Sequence, residues 1–158
     1  MGKVASLSVV ELAYIAGFLD GDGTVMSLVE RHSEKRFGIR IRVVVEFTQH
    51  NDNIQVLRYL RAKIGGGNIH RSLRNVWKYS IKDQQLVKKL LISLLSYSVL
   101  KKRQIKLALK VLSLTLSSPQ ALLRAGILSD TLSGFNLRSK SRRIHGAKTV
   151  REMISRND

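Results

Sequence analysis

The chain reads as an α+β protein in the order αββαββα, followed by further helices. Three features carry that reading. Phe37, Ile39, Ile41, Val43, Val45 and Phe47 alternate with Gly38, Arg40, Arg42, Val44, Glu46 and Thr48, the period-two pattern of a strand with one covered and one open face. Asn68 to Leu73 and Val76 to Lys82 form a second hairpin through Arg74-Asn75. Apolar runs at helical spacing flank both hairpins, opened by Ser, Asn or Asp, the first two closed by Gly. Hairpins separated by helices predict one antiparallel sheet covered by a helical layer.

The first helix starts at Ser8, with Glu11 at capping-box spacing. Val9, Val10, Leu12, Ala13, Ile15, Ala16, Phe18 and Leu19 leave it no polar face, so it is expected to be covered on all sides. Ala13 and Gly17, four apart, would admit a second helix closely. After it, Thr24 to His32 reads as a strand and 33–36 as a polar turn. Asn51 or Asp52 is expected to cap a helix from Ile54 to Ile64, ended by Gly65-Gly66-Gly67. That glycine run follows a helix and lacks a P-loop lysine, so it reads as a C-cap and not as a phosphate cradle. In the last strand Trp77, Tyr79 and Ile81 alternate with Lys78, Ser80 and Lys82; the aromatics are placed in the core and the lysines outward. A slip of one residue would exchange the faces. Asp83 caps the next helix, a break falls at 97–100, and Lys101 opens another. Ser118-Pro119 starts a short helix. Within it 125–130 faintly echoes the opening run but lacks its Gly-Asp-Gly. A basic loop at 137–143 and a helix at 147–155 close the chain.

Asp20-Gly21-Asp22-Gly23 ends the first helix. Carboxylates at that negative pole are unfavourable by about 0.3–1 kcal/mol. Two acids and free carbonyls there suit a divalent cation such as Mg2+; an Asp-Gly turn into a strand is the plain alternative. An EF-hand loop is excluded, because the twelfth position from Asp20 is Arg31. Leu12-Ala13-Tyr14-Ile15-Ala16-Gly17-Phe18-Leu19-Asp20-Gly21-Asp22-Gly23 closely resembles the signature of the LAGLIDADG homing endonucleases. The αββαββα order is that family's order. The likeness covers residues 8 to about 112 well, and extends more weakly to the basic loop, which is similar to the tail of the algal and archaeal single-motif enzymes. It implies the LAGLIDADG endonuclease fold, with a saddle-shaped antiparallel sheet and C-terminal helices.

A chain of 158 residues is expected to form one domain, 1–158, with a core at 8–112 and C-terminal helices and the loop in 113–158. The formal charge of +17 predicts a polyanionic partner, nucleic acid first. Residues 101–158 carry 13 Lys/Arg against 3 Asp/Glu, a net +10, leaving +7 for the first hundred. Without cysteine, disulfide and zinc-thiolate sites are excluded. No signal-peptide pattern and no apolar stretch of membrane-spanning length is visible, so an intracellular location is expected, in an unassigned compartment, with no membrane partner.

The resemblance implies that Asp22 is the metal acid, with the Gly21 carbonyl a second ligand, and that the ion is Mg2+ (or Mn2+). Gln49, at the end of the second strand, inherits the role of positioning water. Lys101, at a later helix start, inherits that of polarising it or stabilising charge on the phosphate. A basic residue that accompanies the glutamine in close relatives falls here on Asn51 or Asn53, and Lys102 or Arg103 are candidates to replace it. One motif per chain implies a homodimer packed through Leu12, Ala13, Ala16 and Gly17. Such an isologous pair would cut both strands of a long, near-palindromic double-stranded DNA, leaving 3′ overhangs. On the open sheet faces Arg40, Arg42, Arg74 and Lys78 are expected near base edges. Leu28, Glu30, His32, Glu46, His70 and Ser72 are secondary contacts. Ser139, Lys140, Arg142, Arg143 and Lys148 are assigned to phosphates. Two other readings of the scaffold are an intron maturase, with RNA as partner, and a catalytically inactive DNA-binding protein. Retention of Asp22, Gln49 and Lys101 together favours cleavage.

Overall fold

The computed structural model describes residues 3–136 and 144–157. Its elements are α1 (Val9–Asp22), β1 (Gly23–Arg31), β2 (Ile39–His50), α2 (Ile54–Ile64), β3 (Asn68–Leu73), β4 (Val76–Ile81), α3 (Gln84–Leu94), α4 (Lys102–Ser113), α5 (Pro119–Phe135) and α6 (Ala147–Ser155). The order αββαββα followed by three helices is therefore observed, and the fold is α+β. All strand pairs are antiparallel, in the order β1-β2-β4-β3. Helices cover one face of the sheet and leave the other open.

The capping box at α1 forms: the Glu11 amide donates to Ser8 Oγ, and the Ser8 amide donates to the Glu11 carboxylate at 2.8 Å. The helix lies on the sheet through Ile15, Ala16 and Leu19, all fully buried. Burying a Leu or Ile side chain of this kind contributes about 1.5–3 kcal/mol. Phe18 continues into an aromatic run, 6.0 Å from Phe47, which stacks on Tyr79 at 5.9 Å. Phe47 and Tyr79 are cross-strand partners, as are Glu46 and Ser80. That pairing settles the register of β4, with Tyr79 and Ile81 inward and Lys78 outward. The slipped register is excluded, because it would turn Tyr79 out of the core.

β2 outruns β4, whose pairing stops at Val45↔Ile81. Gln84 takes over as a one-residue strand: its side chain accepts from the Val43 amide and donates to the Val43 carbonyl, both at 2.8 Å. On the opposite edge the Asn136 amide donates to the Val25 carbonyl at 2.8 Å. Side chains thus satisfy backbone groups that a sheet edge would expose.

Several expectations are corrected. Val44 falls on the open face by alternation but is buried; it stands opposite Met26 of β1. α2 is preceded by a 3-10 turn at Asn51–Asn53, so its N-cap is Asn53, without a side-chain cap bond. Asn51 instead accepts from the Trp77 indole at 3.0 Å. The helix after Pro119 is long, running to Phe135. The echo at 125–130 lies in its middle and serves helix packing. A side chain at Gly126 would come within 3.1 Å of Ala147 and Val150 of α6. Asp130 accepts from the Ala147 amide at 2.9 Å, capping α6 where Gly146 cannot.

Candidate active site and nucleic-acid interface

The two acids at the foot of α1 part company. Asp22 is exposed and accepts from the Gln49 side-chain nitrogen at 2.7 Å. An ionised carboxylate only accepts, so the Gln49 end that faces it is the amide NH2. The Gln49 oxygen then receives the Asn53 amide at 3.4 Å. Asn53, not Asn51, stands at the position beside the glutamine. Arg103 lies over the Phe135 ring, 5.9 Å away, and among the described residues neither it nor Lys102 bonds to Gln49 or Asp22.

Asp20 is saturated. Its carboxylate accepts from the Ser98 hydroxyl (2.6 Å) and from the amides of Val99 (2.6 Å), Leu100 (3.1 Å) and Lys101 (3.1 Å). Burial pushes its pKa up, but these four donors outweigh burial and hold it below the usual carboxylate value. The expectation that both acids are open to a cation is therefore corrected. The Lys101 ammonium reaches back to donate to the Asp20 carbonyl at 2.7 Å. Gly21, Asp22, Thr48, Lys101 and Gln104 line one cavity of about 800 Å3. Gly21 lies in the last turn of α1, whose carbonyls have no intrahelical partner.

Among the described residues no group of three or more His, Cys, Asp or Glu is placed to hold a metal. One chain offers the Asp22 carboxylate and the Gly21 carbonyl. That oxygen set suits Mg2+, which takes one or two carboxylates and completes its shell with waters and substrate phosphates. It is too small for a closed protein site.

The open sheet face is basic but internally paired. Arg40 and Arg42 both bridge to Glu30, at 2.9 and 2.8 Å. Glu30 and Arg40 are direct cross-strand partners, and Arg42 is diagonal to them. Burial pushes the Glu30 carboxyl up, and the bonds from Arg42 and Arg40 more than reverse it. Glu46 likewise accepts from Lys78 at 3.2 Å and Ser80 at 2.6 Å. His70 pairs opposite Lys78, Ser72 falls at a bulge between Arg71 and Leu73, and Arg74 is exposed at the β3–β4 turn. His32 lies just past β1, its Nδ1 buried without a partner among the described residues. Beyond the end of β4, a cavity of about 610 Å3 is lined by Lys35, Arg36, Arg40, Arg42 and Lys82 over an apolar floor. Lys148 is exposed on α6. Ser139, Lys140, Arg142 and Arg143 lie outside the described residues.

Along α1, Val10 (78% exposed), Ala13, Gly17 and Gly21 form an exposed stripe, with nothing within 4 Å of a side chain added at Gly17 or Gly21. The helix is thus covered on one side only within a single chain. Leu12 is half-buried at the margin of the stripe. Ala16 is fully buried with Ile15 and Leu19 in the chain's own core and is not on the stripe.

Comparison with known proteins places the sequence and the fold among DNA endonucleases and their solved structures. I-CreI, a DNA endonuclease of Chlamydomonas reinhardtii, is 27% identical over 90% of this chain and 88% of its own. I-CvuI of Chlorella vulgaris is 24% identical over 92% and 91%. A probable intron-encoded endonuclease 3 of Neurospora crassa is 30% identical over 54% of this chain, which spans only 16% of that protein. The fold matches crystal structures of I-CvuI in complex with its target in the presence of Ca (TM-score 0.87, 23% identity, 94% of both chains). It also matches the archaeal intron-encoded I-Vdi141I complexed with DNA (TM-score 0.80, 21% identity, 94% of this chain and 96% of that one). The profile of the LAGLIDADG endonuclease family matches residues 15–110, and the chain belongs to that family.

Proposed function

We propose that this chain is a homing endonuclease that hydrolyses both strands of a near-palindromic DNA as a homodimer, leaving 3′ overhangs. The observation that carries the reading is the Asp22–Gln49 bond at 2.7 Å, at the rim of the cavity that Lys101 lines. Asp22 and Lys101 line that cavity, and the Gln49 amide is hydrogen-bonded to the acid, at the foot of a largely apolar helix.

Asp22 and the Gly21 carbonyl would hold the divalent ion. When bound, the ion supplies a lowered pKa for water and charge neutralisation at the scissile phosphate. Gln49, its amide oriented by Asp22 and Asn53, places the attacking water. The Lys101 ammonium faces the charge that builds on the phosphate. Because one chain supplies one such acid, two chains are needed for two strands. The exposed stripe Val10, Ala13, Gly17 and Gly21 is small enough for close approach of a second α1, which would bring both Asp22 side chains near the two-fold axis. Arg40, Arg42, Arg74 and Lys78 then read base edges, and the C-terminal basic residues anchor phosphates.

The test is digestion of a plasmid library of randomised near-palindromic sites with Mg2+, comparing the wild type with Asp22→Asn. Cutting at one mapped site by the wild type alone is expected. Equal cutting by both proteins would remove Asp22 from the mechanism.

A further inference from the structure

We infer that Asp20 is a positioning residue for Lys101: it fixes the α3–α4 loop to the foot of α1, and that loop aims the lysine. The inference rests on the cleavage reading above and adds a role for the first acid of the motif, whose carboxylate is taken up by protein donors.

Three consecutive amides and one hydroxyl converge on a single carboxylate. Oδ1 receives Ser98 Oγ and the Lys101 amide; Oδ2 receives the Val99 and Leu100 amides. That uses the four lone-pair positions a carboxylate has. The amides immediately precede α4, so Asp20 caps α4 from another helix. The negative end of α1 meets the positive end of α4. Lys101 is the N-cap residue of α4 but makes no side-chain cap bond. With that task taken by Asp20, its side chain is left to turn back, and the ammonium donates to the Asp20 carbonyl beside Asp22.

Nothing apolar substitutes for this anchor at the two residues ahead of Lys101. Val99 and Leu100 are 79% and 73% exposed, so their side chains do not dock the segment. A lysine on a loose loop would spread its ammonium over many positions, and a shift of about 1 Å in a reacting group costs up to about a hundredfold in rate. Asparagine at 20 keeps one acceptor oxygen and turns an NH2 toward amides that need an acceptor.

Two measurements decide the matter. The first is amide hydrogen exchange of the DNA-free protein. In Asp20→Asn, protection at Val99, Leu100 and Lys101 is expected to fall at least about tenfold while Ile15 and Leu19 stay protected. Unchanged protection at 99–101 overturns the inference without reference to cleavage. The second is single-turnover cleavage of the selected site. Asp20→Asn is expected to lose about 10- to 100-fold in rate, with target affinity in Ca2+ unchanged. In a Lys101→Met background it should cost little more, because a group acting through Lys101 has nothing left to act on. Additive losses, or recovery of Asp20→Asn by raised Mg2+, would overturn the inference in favour of general destabilisation or a metal ligand. Ser98→Ala removes one donor without altering α1. It should give a smaller loss, again absent in the Lys101→Met background; a loss that persists there counts against the inference. A wild type that fails to cut any site refutes the cleavage reading, while the exchange result stands on its own.

Discussion

Replacing Glu30 by glutamine sets stability against DNA affinity in a way the structure makes quantitative. One carboxylate pairs Arg40 and Arg42, and the three side chains are 21–35% exposed. Discounted for solvent screening, each pair contributes about 0.2–1 kcal/mol. Glutamine keeps one acceptor, so the net loss is about 0.5–1 kcal/mol. For a chain of this size that is a fall of about 1–4 °C in Tm. The same change frees two cations on the open sheet face. If each neutralises one further phosphate, the slope of log affinity against log salt steepens by about 0.9 per contact, up to about 1.8. Fluorescence anisotropy on a random-sequence duplex across a salt series measures it directly. Lower Tm, tighter non-specific binding and a steeper slope are expected together. An unchanged slope with a lowered Tm would show that Arg40 and Arg42 do not meet the backbone even when released. A shallower slope would refute the placement of the sheet on DNA. The effect is pH-linked, because the folded carboxyl lies below its ordinary value of 4.5. Its contribution is present above that value and lost as the pH falls through the folded one, so wild type and variant converge in acid.

Other outcomes follow from local geometry. In Gly23→Ala the new carbon would lie 2.6 Å from the Leu19 side chain and 2.8 Å from its backbone, so a loss of about 1–3 kcal/mol is expected from urea midpoints. A wild-type midpoint would show that the α1–β1 junction shifts freely. Ser129→Ala orphans the buried Ser27 hydroxyl, 2.6 Å away, at a cost of about 1–3 kcal/mol. Ser27→Ala added to it should recover part of that loss; strictly additive losses would contradict the pairing. The bond from Lys63 and the capping bonds at Ser8 hold the Glu11 carboxyl down to about 2. The stability gap between wild type and Glu11→Gln should therefore persist above 4.5 and close as the pH falls from 4.5 toward about 2. A gap that widens in acid would contradict the sign.

The sheet was legible because alternation at 37–48 and 76–82 carries its own faces, and Phe47 against Tyr79 confirms the register. Val44 escaped, since burial there depends on its neighbours across the sheet and not on period. Asp22, Gln49 and Lys101 are assigned through motif context; the bond of Gln49 to Asp22 and the cavity shared by Asp22 and Lys101 have no signature in spacing. The same holds for Asp20, whose partners lie 78–81 residues away. Asn51 and Asn53 could not be separated by sequence; the 3-10 turn turns one to Trp77 and the other to Gln49. The length of α5 was missed because its middle is held by packing on α6 through Gly126, which a local reading scores as a weak helix position.

The central claim is that two chains each supply one Asp22 to a shared double-strand cut. Mixing wild-type and Asp22→Asn subunits at fixed total concentration and measuring linear product from the selected plasmid tests it. The account predicts that double-strand cutting falls as the square of the wild-type fraction, with nicked circles accumulating from mixed dimers. A fall in simple proportion, without nicked product, would show that each chain cuts both strands alone and would contradict it.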